Sequence, residues 1–137
     1  MLILSNSSDQ TVAPGQAVTF DTVILHTGCA EVYRQNIPSL VVLCARNAIY
    51  ELEFSGNIGS TEASTQAQLN FETDKAPLSE TTMISTTVAA GDLNNVSTGT
   101  RLKTFGCCGV NDSITLVNTG TTSVNITNPC LRIKRVA

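Results

Sequence analysis

The chain has 137 residues and a formal charge of −3, with 42% apolar and only 14% charged residues. This length suits one domain with a buried core and is too short for two ordinary domains. The acidic balance offers no basic field to neutralise phosphates, and no apolar run approaches the roughly eighteen residues of a membrane span, so we expect neither a nucleic-acid nor a membrane partner.

The first half of the chain consists of short apolar runs separated by turn residues. Several runs alternate with polar residues at every second position, which is typical of half-buried strands. The predicted strands here cover residues 2–4, 18–23, 32–35, 40–44 and 49–58. The run at 40–44 is apolar enough to be buried on both faces. Residues 1–12 form either a short strand or an arm that adds itself to a partner's sheet edge.

The second half continues the pattern, with predicted strands at 65–73 and 81–87 and a long connection at 89–95. Three closing strands follow, at 101–108, 113–118 and 123–136. No segment has the periodicity of a useful amphipathic helix. We therefore predict an all-β fold, a jelly-roll sandwich of about ten antiparallel strands that forms a single domain over residues 1–137.

The strand at 49–58 shows the clearest alternation. Tyr50, Leu52 and Phe54 fall on one face, and Glu51, Glu53 and Ser55 on the other. Side chains of a strand alternate between the two faces of its sheet. The first set is therefore predicted to face the core, and the carboxylates to face outward.

Five cysteines form an odd set without a CxxC pair, and His26 is the only histidine. Zinc sites need closely spaced ligand pairs, usually with histidine, so we expect no metal. Free, packed thiols are the expected state, and Cys107 and Cys108, as neighbours on a predicted strand, should not bond to each other. We expect His26 to be a hydrogen-bonded structural residue at a strand end.

Enzymatic chemistry has little support in the sequence. No nucleophile elbow or phosphate-binding loop is present, so we expect no catalytic residues and no cofactor. Glu51 and Glu53 are spaced like a glycosidase pair, but the strand order implied by the resemblance described below gives them basic neighbours that would keep both ionised and remove the general acid. Asp92, Asn94 and Asn95 could bind a cation weakly or form a hydrogen-bonded turn, and the turn is favoured.

Residues 48–56, Ala-Ile-Tyr-Glu-Leu-Glu-Phe-Ser-Gly, resemble the central strand of tumour-necrosis-factor-like and complement-type globular heads, Gly-x-Tyr-x-apolar-x-Phe. Ala48 stands where that pattern has Gly. Residues 81–85 and 89–97 are similar to a bacterial and phage branch that includes the heads of exosporium collagen-like glycoproteins. The endings at 114–120 and 131–135 fit the same branch, so the likeness covers about residues 14–136.

This resemblance implies a ten-stranded jelly roll that forms a threefold trimer, in which the Tyr50 strand lies between the strands at 101–108 and 131–135. Its outward face would then pack against neighbouring subunits. The resulting interface prediction comprises Glu51, Glu53, Arg101, Lys103, Phe105, Cys107, Cys130, Arg132 and Lys134. The alternatives are a solvated face of surface ion pairs and, for Cys107 and Cys130, a disulfide instead of packed thiols.

For the role, the favoured hypothesis is a non-enzymatic structural homotrimer of a phage or prophage virion: a capsid decoration, head-fibre or tail-fibre protein. Residues 1–4 lack a basic segment and are too short for a secretory signal, which fits assembly in the host cytoplasm beside other virion or surface-layer proteins. One alternative is a receptor- or glycan-binding head that uses the loops at 89–97 and 56–64. Another is a protein of the spore surface, the exosporium, or of the cell surface.

Overall fold

The computed structural model describes residues 1–34, 40–74, 76–104 and 112–137. A single-turn 3₁₀ helix covers Ser79–Thr81. Eleven strands lie in the described ranges: β1 (Leu2–Ser5), β2 (Gln10–Val12), β3 (Thr22–His26), β4 (Glu31–Arg34), β5 (Leu40–Leu43), β6 (Ile49–Ser60), β7 (Thr65–Thr73), β8 (Met83–Thr87), β9 (Asn94–Lys103), β10 (Asp112–Asn118) and β11 (Val124–Arg135). No helix in these ranges is long and apolar enough to cross a membrane.

The strands form two antiparallel sheets that pack face to face. The first has the order β3-β1-β11-β6-β9, with β2 also paired to β11, and the second has the order β4-β5-β10-β7-β8. Both the all-β class and the jelly-roll sandwich are therefore confirmed. Strand β6, which carries Tyr50, lies between β9 and β11, as the sequence resemblance implied.

The core lies between the two sheets and follows the period-2 alternation of the strands. Tyr50, Leu52 and Phe54 of β6 are buried together with Leu69 and Phe71 of β7 in one apolar cluster. Burying each such side chain contributes about 1.5–3 kcal/mol. The prediction that this face of β6 points inward is confirmed. Residues 41–43 of β5 are likewise buried throughout, as their unbroken apolar run predicted.

The strand predicted at 18–23 is wrong in its position. The strand here, β3, begins at Thr22 and ends at His26, and all five of its residues are exposed. Val18 and Phe20 are buried without belonging to a strand. The Val18 N–H donates to the Leu116 carbonyl at 2.8 Å, so this segment lies along β10. Its apolar alternation reflects burial outside a strand, with Val18 beside β10 and Phe20 in contact with Tyr33 of β4.

The predicted boundaries around the third-last strand are also wrong. Strand β9 begins at Asn94, inside the predicted connection, and ends at Lys103. The outer part of the predicted strand, 105–108, lies outside the described residues. Residues 79–81 form the 3₁₀ turn, so β8 starts at Met83 and not at 81. The strand at 65–73 agrees with β7 at both ends.

Residues 1–12 supply β1 and β2, and both strands pair with β11. The start of β1 is anchored by a buried carboxylate that the sequence did not single out. Glu31 is fully buried, and its Oε2 lies 3.2 Å from the amino group of Met1. Its Oε1 accepts a hydrogen bond from the backbone N–H of Arg135 at 3.3 Å. Glu31 therefore joins β4 of one sheet to β1 and β11 of the other.

Candidate subunit interface

Two carboxylates of β6 lie in the middle of the outward face of the first sheet. Glu51 stands opposite Arg101 of β9 on one side and Lys134 of β11 on the other. Glu53 stands opposite Arg132 of β11. Cross-strand neighbours of opposite charge attract, because their Cβ atoms lie only about 5 Å apart. We call this surface of β6, β9 and β11 the charged face.

Two ion pairs cross the charged face. Glu51 Oε2 accepts a hydrogen bond from Arg101 Nε at 3.3 Å, and Arg101 Nη2 lies 3.3 Å from the same oxygen. Arg132 Nη1 lies 3.4 Å from Glu53 Oε2. The four side chains remain 34% to 70% exposed, so within one subunit each pair contributes less than about 1 kcal/mol. The main effect of the two ion pairs is therefore to hold the positions of the charged groups on the face, and their contribution to stability is small.

The other residues of the predicted interface that the structure describes also lie on the charged face, as strand parity predicts. Lys103 is exposed at the end of β9, opposite Ile49, one step farther along the strand than a direct neighbour of Glu51. Lys134 makes no ion pair with any described residue. Cys130 is a half-buried free thiol beside Ser55. The predictions for Phe105 and Cys107, including the Cys107–Cys130 alternatives, lie outside the described residues.

A groove of about 560 Å³ interrupts the charged face. The groove exists because Gly99, which has no side chain, stands opposite Glu53 in β9. The corresponding position opposite Glu51 is filled by Arg101. Ser55 and Ser97 continue its lining, and Cys130 and Arg132 close it on the β11 side. Glu53 therefore has a basic neighbour on one side and open space on the other.

Sequence reasoning placed Ser55 on this surface by parity with Glu51 and Glu53 but missed Gly99 and Ser97. The sequence pattern predicts a connection at 89–95 and a first closing strand that begins only at 101, so residues 96–100 stay unassigned. Their side chains nevertheless alternate as in a strand: Val96, Thr98, Thr100 and Leu102 are half-buried, and the residues between them are exposed. Extending the strand N-terminally by this parity would have placed Gly99 next to Glu53.

Three candidate ligand residues have hydrogen-bond partners within the chain. His26 ends β3, and its Nε2 lies 2.8 Å from the Glu31 carbonyl oxygen, so its prediction as a hydrogen-bonded strand-end residue is confirmed. Asp92 Oδ2 accepts from the Ala89 N–H at 3.0 Å, and Asn94 donates to the Ser85 hydroxyl at 2.8 Å. The Asp92 contact, together with the hydrogen bond from the Asp92 N–H to the Ala89 carbonyl, forms the predicted hydrogen-bonded turn.

No protein-family model matches the sequence, and no curated protein matches it significantly. Among solved structures, the PRD1 vertex protein P5 is similar with a TM-score of 0.46 and 13% identity, over 97% of this chain and 96% of that one. The EclA C-terminal domain, a sugar-binding protein, has a TM-score of 0.42 and 14% identity, over 94% and 80%. The CBM22-1 xylan-binding domain from Paenibacillus barcinonensis has a TM-score of 0.40 and 14% identity, over 98% and 87%. Likenesses this remote transfer no role to the chain.

Proposed function

We propose that the chain is a non-enzymatic structural protein that forms a homotrimer through the charged face, as a component of a phage or prophage virion. The observation that carries this proposal is the arrangement of charge on that face. Two carboxylates are bracketed by four cations on a sheet surface whose other residues are small or uncharged. In a chain of only 14% charged residues, this concentration favours a recognition surface.

The charge balance of the face defines how copies can meet. Arg101, Lys103, Arg132 and Lys134 outnumber Glu51 and Glu53, so two faces stacked in register would oppose like charges. A threefold rotation instead places different parts of the face against each other. The carboxylates of one copy then meet cations of the next, and Lys134, which has no described ion-pair partner, is available for that contact.

The virion assignment rests on the character of the remaining surface. The chain contains 19 threonines, and its polar exterior is built mostly from Thr, Ser and Asn side chains. Such a surface of low charge suits dense packing against other particle proteins. Capsid decoration, head fibre and tail fibre remain the three candidate positions, with other virion proteins as partners.

The binding-head alternative receives less support from the aromatic residues. Sugar-binding surfaces commonly present exposed aromatic rings for stacking. Here Phe20, Tyr50, Phe54 and Phe71 are buried, and the half-buried Tyr33 uses its hydroxyl to contact Phe20. The two loops that a binding head would use, at 56–64 and 89–97, are also shorter than predicted. Strand β6 continues to Ser60, and β9 starts at Asn94.

Analytical ultracentrifugation tests the trimer. We expect the wild-type chain to sediment at three times 14.5 kDa, and both Glu51→Ala and Lys103→Ala to weaken the trimer. Between subunits, loss of one partner of a buried pair costs about 3–5 kcal/mol, whereas on a solvated face it costs less than about 1 kcal/mol. Glu62→Ala, an exposed carboxylate in the turn after β6, is the matched control. A monomeric wild type, or variants with unchanged mass and melting, would refute the proposed interface.

Two further observations test the virion role. Capsid or tail genes beside the coding sequence would support it, and sporulation genes would favour the spore surface. A glycan array probed with the purified protein should give no specific binding. Several specific hits would replace the structural role with the binding-head role.

A further inference from the structure

Strand β3 lies at the edge of the first sheet, at the opposite end from β9, and differs from every other strand with described burial. All five of its residues are exposed, so neither of its faces is covered. Three of them are large and apolar in succession: Val23 is 51% exposed, Ile24 58% and Leu25 39%. An uncovered apolar edge strand is an association site unless charge, proline or a cover protects it.

Three other edge strands, β9, β4 and β8, carry such protection. Strand β9 has Arg101 and Lys103, and β4 has Arg34 and the buried Glu31. Strand β8 buries every second residue against the core. Strand β3 reads Thr-Val-Ile-Leu-His and contains neither a carboxylate, a lysine or arginine, nor a proline. Among the described edges, it alone is both uncovered and free of acidic and basic side chains other than histidine.

We propose that β3 is a twofold contact through which two copies of this chain associate. The strand is self-complementary about Ile24. In an antiparallel arrangement centred there, Val23 lies beside Leu25 of the second copy, and Thr22 lies beside His26. A closed twofold contact requires one patch to serve both partners, and this symmetry of apolar centre and polar ends meets that requirement. No carboxylate or strong cation of β3 is brought against its own copy.

The contact is expected to be short and weak in solution. The register of β1 and β3 shifts between Ile3 and Leu4, so Ile24 is an extra residue without a direct partner in β1. A bulge of this kind limits how far hydrogen-bonded strands continue past an edge. The apolar side chains therefore carry most of the contact, and its small area is typical of transient association. Repetition across an assembly would strengthen it.

This contact does not depend on the charged face, since β3 lies at the other end of the sheet. If the charged face forms trimers, the β3 contact doubles the trimer, and if the chain is monomeric, it doubles the monomer. Sedimentation velocity over a rising concentration series distinguishes these cases. We expect wild type to show a doubling of its basic unit as concentration increases.

Ile24→Lys is the test variant and Ile84→Lys the matched control. Ile84 is 52% exposed on edge strand β8, so both changes place a charge on a similarly exposed edge, and circular dichroism should show both variants folded. Two copies of residue 24 meet at the axis, so we expect Ile24→Lys to weaken the doubling on the order of a hundredfold. Ile84→Lys should leave it unchanged. Doubling that survives Ile24→Lys would overturn the proposal, as would wild type that never doubles.

A cross-link measures the same contact independently of affinity. Exposed Cys29 is first removed by Cys29→Ser, and Ile24→Cys or Ile84→Cys is then introduced. Mild oxidation should give a covalent dimer with Ile24→Cys, above the level of the Cys29→Ser background, and none with Ile84→Cys. Equal cross-linking from both positions, or none from Ile24→Cys, would refute the twofold contact and leave the edge to a strand of a different protein.

Discussion

Gly59, near the end of β6, lies directly against the backbone of the segment that leads into β9. A Cβ on Gly59 would stand 1.8 Å from the carbonyl oxygen of Asp92 and 3.0 Å from its carbonyl carbon. Non-bonded carbon and oxygen atoms ordinarily stay more than about 3 Å apart. The obstacle is main chain, which cannot rotate away as a long side chain can. Gly59→Ala therefore requires β6 or the Asp92 segment to move.

The cost of that movement follows from what holds the segment. Ala89 and Asp92 exchange two hydrogen bonds, at 3.0 and 3.1 Å, and a Leu93 methyl would stand 3.3 Å from the new Cβ. Overpacking costs about 1–3 kcal/mol, and each hydrogen bond lost adds about 1 kcal/mol. We therefore expect Gly59→Ala to lower the free energy of unfolding by about 3 kcal/mol, which lowers Tm by about 10 °C in a domain of this size.

Thermal unfolding followed by circular dichroism measures this effect, at fixed protein concentration because association would shift Tm. Gly99→Ala is the matched control, also a glycine of this sheet. Its Cβ would lie 3.3 Å from the Leu52 carbonyl oxygen and 3.6 Å from Glu53 Cγ, so a small adjustment is enough. We expect Gly99→Ala to melt within about 2 °C of wild type. Equal melting of the two variants would show that Asp92 does not approach β6 as described.

Three further outcomes follow from buried or hydrogen-bonded side chains. The Tyr50 hydroxyl donates to the Ala30 carbonyl at 2.7 Å and accepts from the Ala45 N–H at 3.2 Å, so Tyr50→Phe should cost about 2 kcal/mol in chemical denaturation. Burial raises the pKa of Tyr50 above 10.0, so the native state holds this proton more tightly. The stability advantage of wild type over Tyr50→Phe should therefore be full below pH 10.0 and shrink above it in a pH series of denaturation curves. Hydrogen bonds from Ser7 and Thr22 lower the pKa of Asp21 below 3.8. The stability advantage of wild type over Asp21→Asn should therefore be present above pH 3.8 and disappear as acid protonates the carboxylate. A stability difference that does not change with pH would contradict this assignment.

The outward position of the charged face could be predicted because strand parity is a local property. Once Tyr50, Leu52 and Phe54 were assigned to the core, Glu51 and Glu53 had to face outward. Pairing with β9 and β11 required more than parity, since sequence spacing does not define which strands are neighbours. The likeness of residues 48–56 to a known strand supplied that order, and the register confirms it.

The errors arose where apolar residues are buried by something other than sheet pairing, or where a strand lacks buried residues. Val18 and Phe20 alternate like a strand but are buried outside one, while β3, a true strand, has no buried face to give it a pattern. The burial of Glu31 could not be predicted from the sequence for a different reason. A buried carboxylate is stable only with partners, and its partners, Met1 and Arg135, come from distant parts of the chain.

The two proposed contacts lie at opposite ends of one sheet, and this placement constrains assembly. The charged face spans β11, β6 and β9, while the apolar edge is β3, separated from β11 by β1. A threefold contact closes on itself, and so does a twofold contact, so the two together generate an assembly larger than either, of which the doubled trimer is the smallest closed form. Disrupting the charged face should therefore leave dimers, and disrupting β3 should leave trimers. A single variant that removed both associations would show that one surface serves both contacts, contrary to this separation.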